Sequence, residues 1–574
     1  MILDSRIEAA MAQVSDVAPW ALVEHFATFP RWKPADVAES AQDIARRLAA
    51  VGVPCDLLDA NLYLSIPYEA SVEAAGITYA AKPLAYARSI PEGLTGVLVH
   101  VPGTLAASTA SFYDKNRQNE ADAAETRLRG KIVLTDGFAN PQKVLEFQQK
   151  GAIGVIAVNP GVDRHWGICS SIWGTPDLDG LPRKPMIPVA AVSNPDGAVL
   201  VALAQQGGSV TLKTRLEEGW FASPVPVVTI PGAEEPEKFV LLHGHYDSWD
   251  VGVGDNATGD ATMLEIARVL WANQGDLRRS VRIAWWPGHS TGRYAGSAWF
   301  ADTFAIDLDE NCVAQVNCDS PGCRWADVYE NVAWMSEAEG FCKDVIRAAT
   351  GQESHGERPL RAGDYSFNNI GLTSFFMLSS TMTEEKRREM AYYTVGGCGG
   401  NIAWHTENDI LEIADKDVLL RDIKLYLAAV MSVANAPLLP FDWRRTVAEF
   451  NATVAKYAQG AGAEAGLLAP VTAALESLAM TLETFYAAAP TLPQARANEV
   501  IQGLARILVP LNYTRGPRFT HDPALPVPAL PQIAVAGQIV GLPDSERGFA
   551  RTQLVRGVNR TVAALRAAIR LAAP

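Results

Sequence analysis

The 574-residue sequence has no surplus of positive charge: 49 Lys and Arg stand against 64 Asp and Glu, a formal net charge of −15. Without a basic surface to neutralise phosphates, nucleic-acid and anionic-membrane partners are not expected. No uninterrupted apolar run reaches the roughly 18 to 20 residues that span a bilayer. The stretch MILDSRIEAAMAQVSDVAPW also lacks a basic segment followed by an apolar one. A cytoplasmic protein with no membrane contact is therefore expected. Cysteine is sparse, and the seven present (Cys55, Cys169, Cys312, Cys318, Cys323, Cys342 and Cys398) are odd in number and irregularly spaced. That fits reduced thiols better than a disulfide framework. Cys318 and Cys323 match no zinc-ribbon spacing and are expected as buried thiols.

What is present is an ordinary globular composition, 48% hydrophobic and 20% charged, over a length that suggests three or four domains. Residues 1 to about 50 read as helical, and the segment Val37 to Leu48 ends at the stop signal Gly52-Val53-Pro54. Asn61 to Ile66 alternates as a strand does. From about 80 to 221 the texture is that of a small α/β module. Lys131 to Leu134 and Gly151 to Val158 predict strands, and Pro141 to Lys150 predicts a helix with proline at its start. The Pro/Gly-rich stretch Trp173 to Pro188 reads as a surface loop. From about 222 to 440 strands and helices alternate as in an open α/β sheet, with apolar runs at Phe239 to Leu242, Val281 to Trp286, Val313 to Val316 and Thr373 to Met377. The last 130 residues are mainly helical. One stripe there runs through Leu468, Val471, Leu475, Leu478, Leu482 and Phe485. A second runs through Val555, Val558, Val562, Leu565 and Ile569. A bundle core is the expected use of both, with a dimer interface as the alternative.

Several segments place a metal-ligating side chain just after a predicted strand or at a helix start. His245 follows Phe239 to Leu242, Asp255 opens the next helix, Asp319 follows Val313 to Val316, and His405 lies in Trp404 to Asp409. Sites in open α/β sheets form beyond the carboxyl ends of strands. Two imidazoles and two carboxylates suit a borderline divalent ion such as zinc. Each residue alone also has an ordinary use: a structural histidine, a helix cap, a turn carboxylate. Their joint occurrence in this order favours the metal site. Asp247, two residues past His245, can stand behind that imidazole and fix its tautomer; an ordinary turn carboxylate is the alternative.

These residues resemble the zinc exopeptidase family that includes bacterial aminopeptidases, glutamate carboxypeptidase II and the transferrin receptor. The resemblance extends over nearly the whole chain. Leu128 to Leu134 and Gly151 to Ile156 are similar to strands of that family's protease-associated insert, and Asp422 to Asp442 resembles the end of its peptidase domain. It implies an α/β fold with a zinc-exopeptidase-like mixed sheet flanked by helices. It divides the chain into a peptidase-like domain (1–80 and 222–445), a protease-associated insert (81–221) and a helical dimerisation-like domain (446–574). It also implies a homodimer. Carried over by position, His245, Asp255 and Asp319 match the ligands of one ion, with Asp255 bridging, and His405 matches a ligand of a second. Asp247 matches a supporting aspartate.

The family's Gly-x-Glu-Glu-x-Gly aligns with Gly288-His289-Ser290-Thr291-Gly292. His289 stands where the general-base glutamate is expected, and Ser290 where the second ion's glutamate is expected. A serine hydroxyl is a poor ligand, so a single-ion centre is expected, with zinc first and iron, nickel or manganese as alternatives. His289 is then an acid/base, an extra ligand or a packed histidine. Arg361 lies in a segment resembling the family's substrate side and can hold a carboxylate, with a solvated surface position as the alternative. Gly399 and Asn401, in the glycine-rich stretch before Trp404, let backbone approach a small-molecule substrate. The expectation is a metal-dependent hydrolase or lyase for a small amide-like or amino-acid-derived substrate, with a non-catalytic binding protein as the alternative.

Overall fold

The computed structural model describes residues 3–103, 128–376 and 380–573. Eleven of the described strands form one sheet. They are β1 (Asp56–Ala74), β2 (Ile77–Pro83), β3 (Ile90–Val101), β4 (Ile132–Asp136), β5 (Gly154–Val158), β6 (Val189–Val192), β7 (Ser209–Ile230), β8 (Glu235–His245), β9 (Arg279–Trp286), β10 (Cys312–Asn317) and a short edge strand, Ser374–Phe375. Tyr329–Ala333 and Ser354–Glu357 pair separately. The sheet runs β1-β2-β6-β5-β4-β3-β7-β9-β8-β10 and ends on Ser374–Phe375, with β1 also paired to β7. The mixed α/β architecture with an inserted module and a C-terminal helical region is that expected from the sequence.

β1 and β7 tie the two halves together. They pair antiparallel from Asp56 opposite Val227 to Glu73 opposite Thr211, far beyond the strand expected at Asn61 to Ile66. The expected domain limits at 80/81 and 221/222 fall inside β2 and β7, so the insert continues the peptidase sheet rather than hanging from a linker. Beyond β7, the strands β9, β8, β10 and Ser374–Phe375 are mutually parallel. Strands covered on both faces read as continuous apolar runs. Val240 and Leu242 pack with Met263, Ile266 and Leu427 on one face; Phe239, Leu241 and Trp286 pack with Phe300 and Leu308 on the other. The edge strand is shorter than the run Thr373 to Met377, whose end, Met377, lies outside the described residues.

Within the insert, Asn140 caps the helix Pro141–Gln149 by accepting from Lys143 N at 2.9 Å. β5 begins at Gly154 rather than Gly151, because Gly151 takes a left-handed turn, φ +86°. The stretch Trp173 to Pro188 has little regular structure, but its start is not at the surface. Trp173 is buried and meets Tyr294 at a ring-centroid distance of 4.3 Å. Periodicity could not foresee this, because the partner is 121 residues away.

The C-terminal helices bury the first expected stripe: Leu468, Val471, Leu475, Leu478, Leu482 and Phe485 are all in the core. The last helix, Asp544–Ala572, departs from expectation. Val555 is 36% exposed, and the buried line runs instead through Leu554, Gly557, Val558, Thr561, Leu565 and Ala568. Gly557 explains the shift, since a Cβ there would lie 1.9 Å from the Gln532 carbonyl oxygen. Close backbone approach selects the small-residue face. The stretch Trp443–Thr491 is long and apolar enough, by composition, to cross a membrane, and 33% of its most apolar window is buried.

Buried Glu337 joins the peptidase domain to the helical region. Its carboxyl accepts from Thr373 Oγ1 at 2.9 Å and Thr446 Oγ1 at 3.1 Å. Burial pushes it up to about 7 from an ordinary 4.5. A carboxyl raised in the folded state adds stability below its unfolded value, and that stability is lost as pH rises towards 7. The loss is on the order of 3 kcal/mol at most. Thermal melts of wild type and Glu337→Gln at pH 5 and pH 8 test this. Wild type should lose ground to the variant at pH 8, whereas an equal gap at both pH values would rule it out.

Candidate metal centre

The parallel strands deliver their residues to one end of the sheet. His245 closes β8. The turn after β9 carries His289, and the turn after β10 carries Asp319. His245 Nδ1 donates to the Asp247 carbonyl at 2.8 Å, which fixes the tautomer and leaves Nε2 as the ligating atom. His405 has the same arrangement, its Nδ1 donating to the Trp166 carbonyl at 3.0 Å. The two Nε2 atoms meet opposite oxygens of one carboxylate: His245 lies 3.0 Å from Asp255 Oδ1, and His405 lies 3.1 Å from Asp255 Oδ2. Asp319 Oδ2 is 3.8 Å from His245 Nε2.

This donor set fits a cation. His245 Nε2 is buried and has no aligned hydrogen-bond partner among the described residues. With both Nδ1 protons committed to carbonyls, two lone pairs face one anion unless a proton or an ion intervenes. In the protein alone, a proton on His245 answers part of this demand, while burial, despite Asp255, leaves His405 below its ordinary basicity. Burial disfavours the charged His245, but the close contact and charge of Asp255, then the charges of Asp319 and Asp247, outweigh it and raise its basicity well above the ordinary value. Asp255 is likewise opposed by burial and drawn well below the usual carboxylate range by His245 and His405. Burial, then the neighbouring charge of Asp255, pushes Asp319 up to about 6. A divalent ion would satisfy the same groups without protons.

His289 is part of the cluster. Its ring stacks on His245 at 3.7 Å and 18°, and His245, His289 and Asp319 each offer a ligand atom within 4.8 Å of one another. His289 Nδ1 lies 2.8 Å from Asp364 Oδ2. The other Asp364 oxygen accepts from Ser297 Oγ at 2.7 Å. A buried carboxylate that only accepts places the His289 proton on Nδ1 and leaves Nε2 available. Burial would raise Asp364, but the charge and hydrogen bond of His289 hold it below its ordinary value.

Asp247 does not support His245 in the way expected. Its carbonyl does so, while its carboxylate accepts the backbone N–H groups of His289 at 3.0 Å and Ser290 at 2.9 Å. Those donors open the short helix His289–Gly292 and have no partner within it, so the carboxylate is drawn there. Ser290 is buried beside this contact and lies outside the ligand cluster. Arg361 is buried rather than solvated, stacked 3.6 Å over Trp173. Gly399 and Asn401 do not line the cavity at the centre, whereas Gly396 does. The Asn401 carboxamide accepts instead from Ala403 N at 3.0 Å.

Other supporting residues carried no signal of their own in the sequence. Asp409 accepts from the N–H groups of Gly254 and Asp255, at 2.7 and 3.0 Å, and so fixes the bridging residue. Asn256 donates to the carbonyls of His245 and Cys318 and accepts from Ser320 N, joining three ligand-bearing turns. Buried Arg31 donates to the carbonyls of Tyr246, Val251 and Gly252 and braces the turn after His245. The insert holds His405 at two points, since Trp166 N also donates to the His405 carbonyl at 2.8 Å.

Sequence comparison agrees with this geometry. Residues 227–430 match the model of Peptidase family M28, and residues 94–200 match the PA domain. The chain thus resembles proteins that combine an M28 peptidase domain with a PA domain, each of the two models matching less than half of its length. Carboxypeptidase Q of Rattus norvegicus is 25% identical over 222 residues, 37% of this chain and 43% of the relative. The probable glutamate carboxypeptidase VP8 of Zea mays is 34% identical over 225 residues, 38% of this chain and 31% of the relative. The chain thus spans less than half the length of these curated relatives. Among solved structures, the aminopeptidase from Aneurinibacillus sp. strain AM-1 has a TM-score of 0.54 at 16% identity, over 75% of this chain and 96% of that one. The zinc aminopeptidase BSAP of Bacillus subtilis also has a TM-score of 0.54, at 20% identity over 76% and 97%. These likenesses concern the fold.

Proposed function

We propose that this chain is a metal-dependent hydrolase with a single-ion centre, acting on a small amide-like or amino-acid-derived substrate, with His289 in the general acid/base role. The observation that carries this reading is the His289–Asp364 contact beside the group formed by His245, Asp255, Asp319 and His405. A histidine merely filling a decayed site would not need a buried carboxylate to set its tautomer. Of the two reaction types left open by the sequence, hydrolysis is favoured because the matching relatives are named as peptidases.

A divalent ion held by His245, Asp255 and Asp319 would polarise the substrate carbonyl and acidify water. His405 would stand on the far oxygen of Asp255. Asp364 keeps the His289 proton on Nδ1, so Nε2 can take a proton from the attacking water and return it to the leaving nitrogen. Asp247 holds the His289 turn through two backbone hydrogen bonds, limiting movement of the imidazole. The cavity, of about 460 Å³, is walled by the insert, the peptidase domain and the C-terminal region. That enclosure favours a small substrate over a folded polypeptide.

The test is hydrolysis of a panel of N-acyl amino acids and aminoacyl amides by native, chelator-treated and zinc-reconstituted protein. Chelation should abolish turnover and zinc should restore it. Undiminished turnover in metal-free protein would refute the proposal.

A further inference from the structure

We infer that Trp173, Ser366 and Ser297 are positioning residues for His289: a hydrogen-bond chain runs from Trp173 of the insert through the two serines to Asp364, and through it the insert sets the acid/base group. This deepens the proposed function and rests on His289 being that group.

The donors fix the direction of the chain. An indole N–H can only donate, and Trp173 Nε1 donates to Ser366 Oγ at 2.9 Å. Ser366 Oγ lies 2.8 Å from Ser297 Oγ. The Ser297 hydroxyl has one proton and two further acceptors in reach, Asp364 Oδ1 at 2.7 Å and the Tyr294 carbonyl at 3.2 Å. The nearer, charged oxygen takes it, which makes Ser366 the donor to Ser297. Every link then points towards Asp364, and in a chain of one sense each bond polarises the next. Asp364 is fully buried, and among the described residues its side-chain partners are Ser297 on one oxygen and His289 on the other. Without Ser297 one oxygen would be left unsatisfied in the interior, and the carboxylate would be free to pivot about its remaining contact with His289.

The backbone around Trp173 is held against the helix that carries Ser297, Ala295–Thr303. Gly174 N donates to the Arg293 carbonyl at 2.7 Å. Gly174 has φ +68°, and a Cβ there would lie 2.4 Å from the Ala298 Cβ. Glycine alone permits this approach, which brings the insert next to Ser297. Trp173 then reaches His289 by two routes. Its ring meets Tyr294 at 4.3 Å, and Tyr294 meets the edge of His289 at 4.9 Å. Its N–H enters the chain through Ser366. Ser297 and Ser366 are both buried, and packing alone would be served by alanine at either position. A buried hydroxyl costs free energy unless it is hydrogen-bonded, and here the bonds it makes lead to the carboxylate behind the imidazole.

Proton NMR of the zinc-supplemented full chain tests this through the low-field Nδ1–H resonance of His289, identified by its disappearance in His289→Ala. Ser297→Ala should speed exchange of that proton with water at least ~10-fold, and Ser366→Ala and Trp173→Phe should do so by progressively smaller factors. Trp173→Phe keeps the ring packing and removes the donor, so it remains informative if a serine variant fails to fold. Zinc affinity, measured by equilibrium dialysis, should stay at the wild-type value in all three. In turnover of the best-hydrolysed member of the panel above, Ser297→Ala should lower kcat ~10-fold at unchanged KM, and should add nothing in a His289→Ala background. A merely structural role would lower kcat in both backgrounds. Absence of the resonance from wild type, wild-type exchange in Ser297→Ala or Trp173→Phe, or an equal fall in kcat with and without His289 would each overturn the inference. Full turnover in His289→Ala would instead overturn the functional reading beneath it.

Discussion

A His289→Ala protein is expected to lose about 10²- to 10⁴-fold in kcat, the usual contribution of a positioned acid/base group, while keeping its metal and its fold. The imidazole is held by its ring contact with His245 and by Asp364. The turn itself is held through backbone N–H donation to Asp247, which alanine preserves. Loss of the side chain therefore removes proton transfer and leaves the turn intact. Steady-state kinetics alongside metal analysis checks this. Full turnover in the variant would remove His289 from the mechanism, and loss of the ion would make it a ligand instead. Asp364→Asn belongs to the same experiment: it should lower kcat by a smaller factor, because an amide can offer its NH₂ to Nδ1 and favour the wrong tautomer.

Asp255→Ala is expected to abolish both metal retention and turnover. Among the described residues, Asp255 is the one carboxylate within 3.1 Å of both His245 Nε2 and His405 Nε2. Its removal leaves two buried imidazoles facing each other's site without the shared anion, and Asp319 at 3.8 Å cannot bridge them. Two remaining ligands do not make a catalytic site, which takes three protein groups and an open position. Equilibrium dialysis against zinc measures the loss. Wild-type affinity in the variant would show that the ion is held elsewhere.

Of the four metal-ligating candidates, His245 and Asp319 were legible because strand ends announce themselves in apolar runs and each lies just past one, whereas Asp255 was read from a helix start and His405 from the family resemblance. Their tertiary supports were not legible. Asp364 reaches His289 across 75 residues and Asp409 reaches Gly254 across 155, with no periodicity linking either pair. The Trp166 and Asp247 carbonyls that orient His405 and His245 belong to the backbone, so no residue type encodes them. The long β1–β7 ladder was foreshortened for a related reason. Its alternation is broken by Pro67, where the register shifts, and a sequence window stops there.

The central claim is one catalytic ion served by His289 rather than two ions served by a glutamate pair. Zinc titration of chelator-treated protein, followed by turnover, tests it most directly. The account predicts activity rising linearly to a plateau at one equivalent of zinc per chain. A plateau reached only at two equivalents would contradict it.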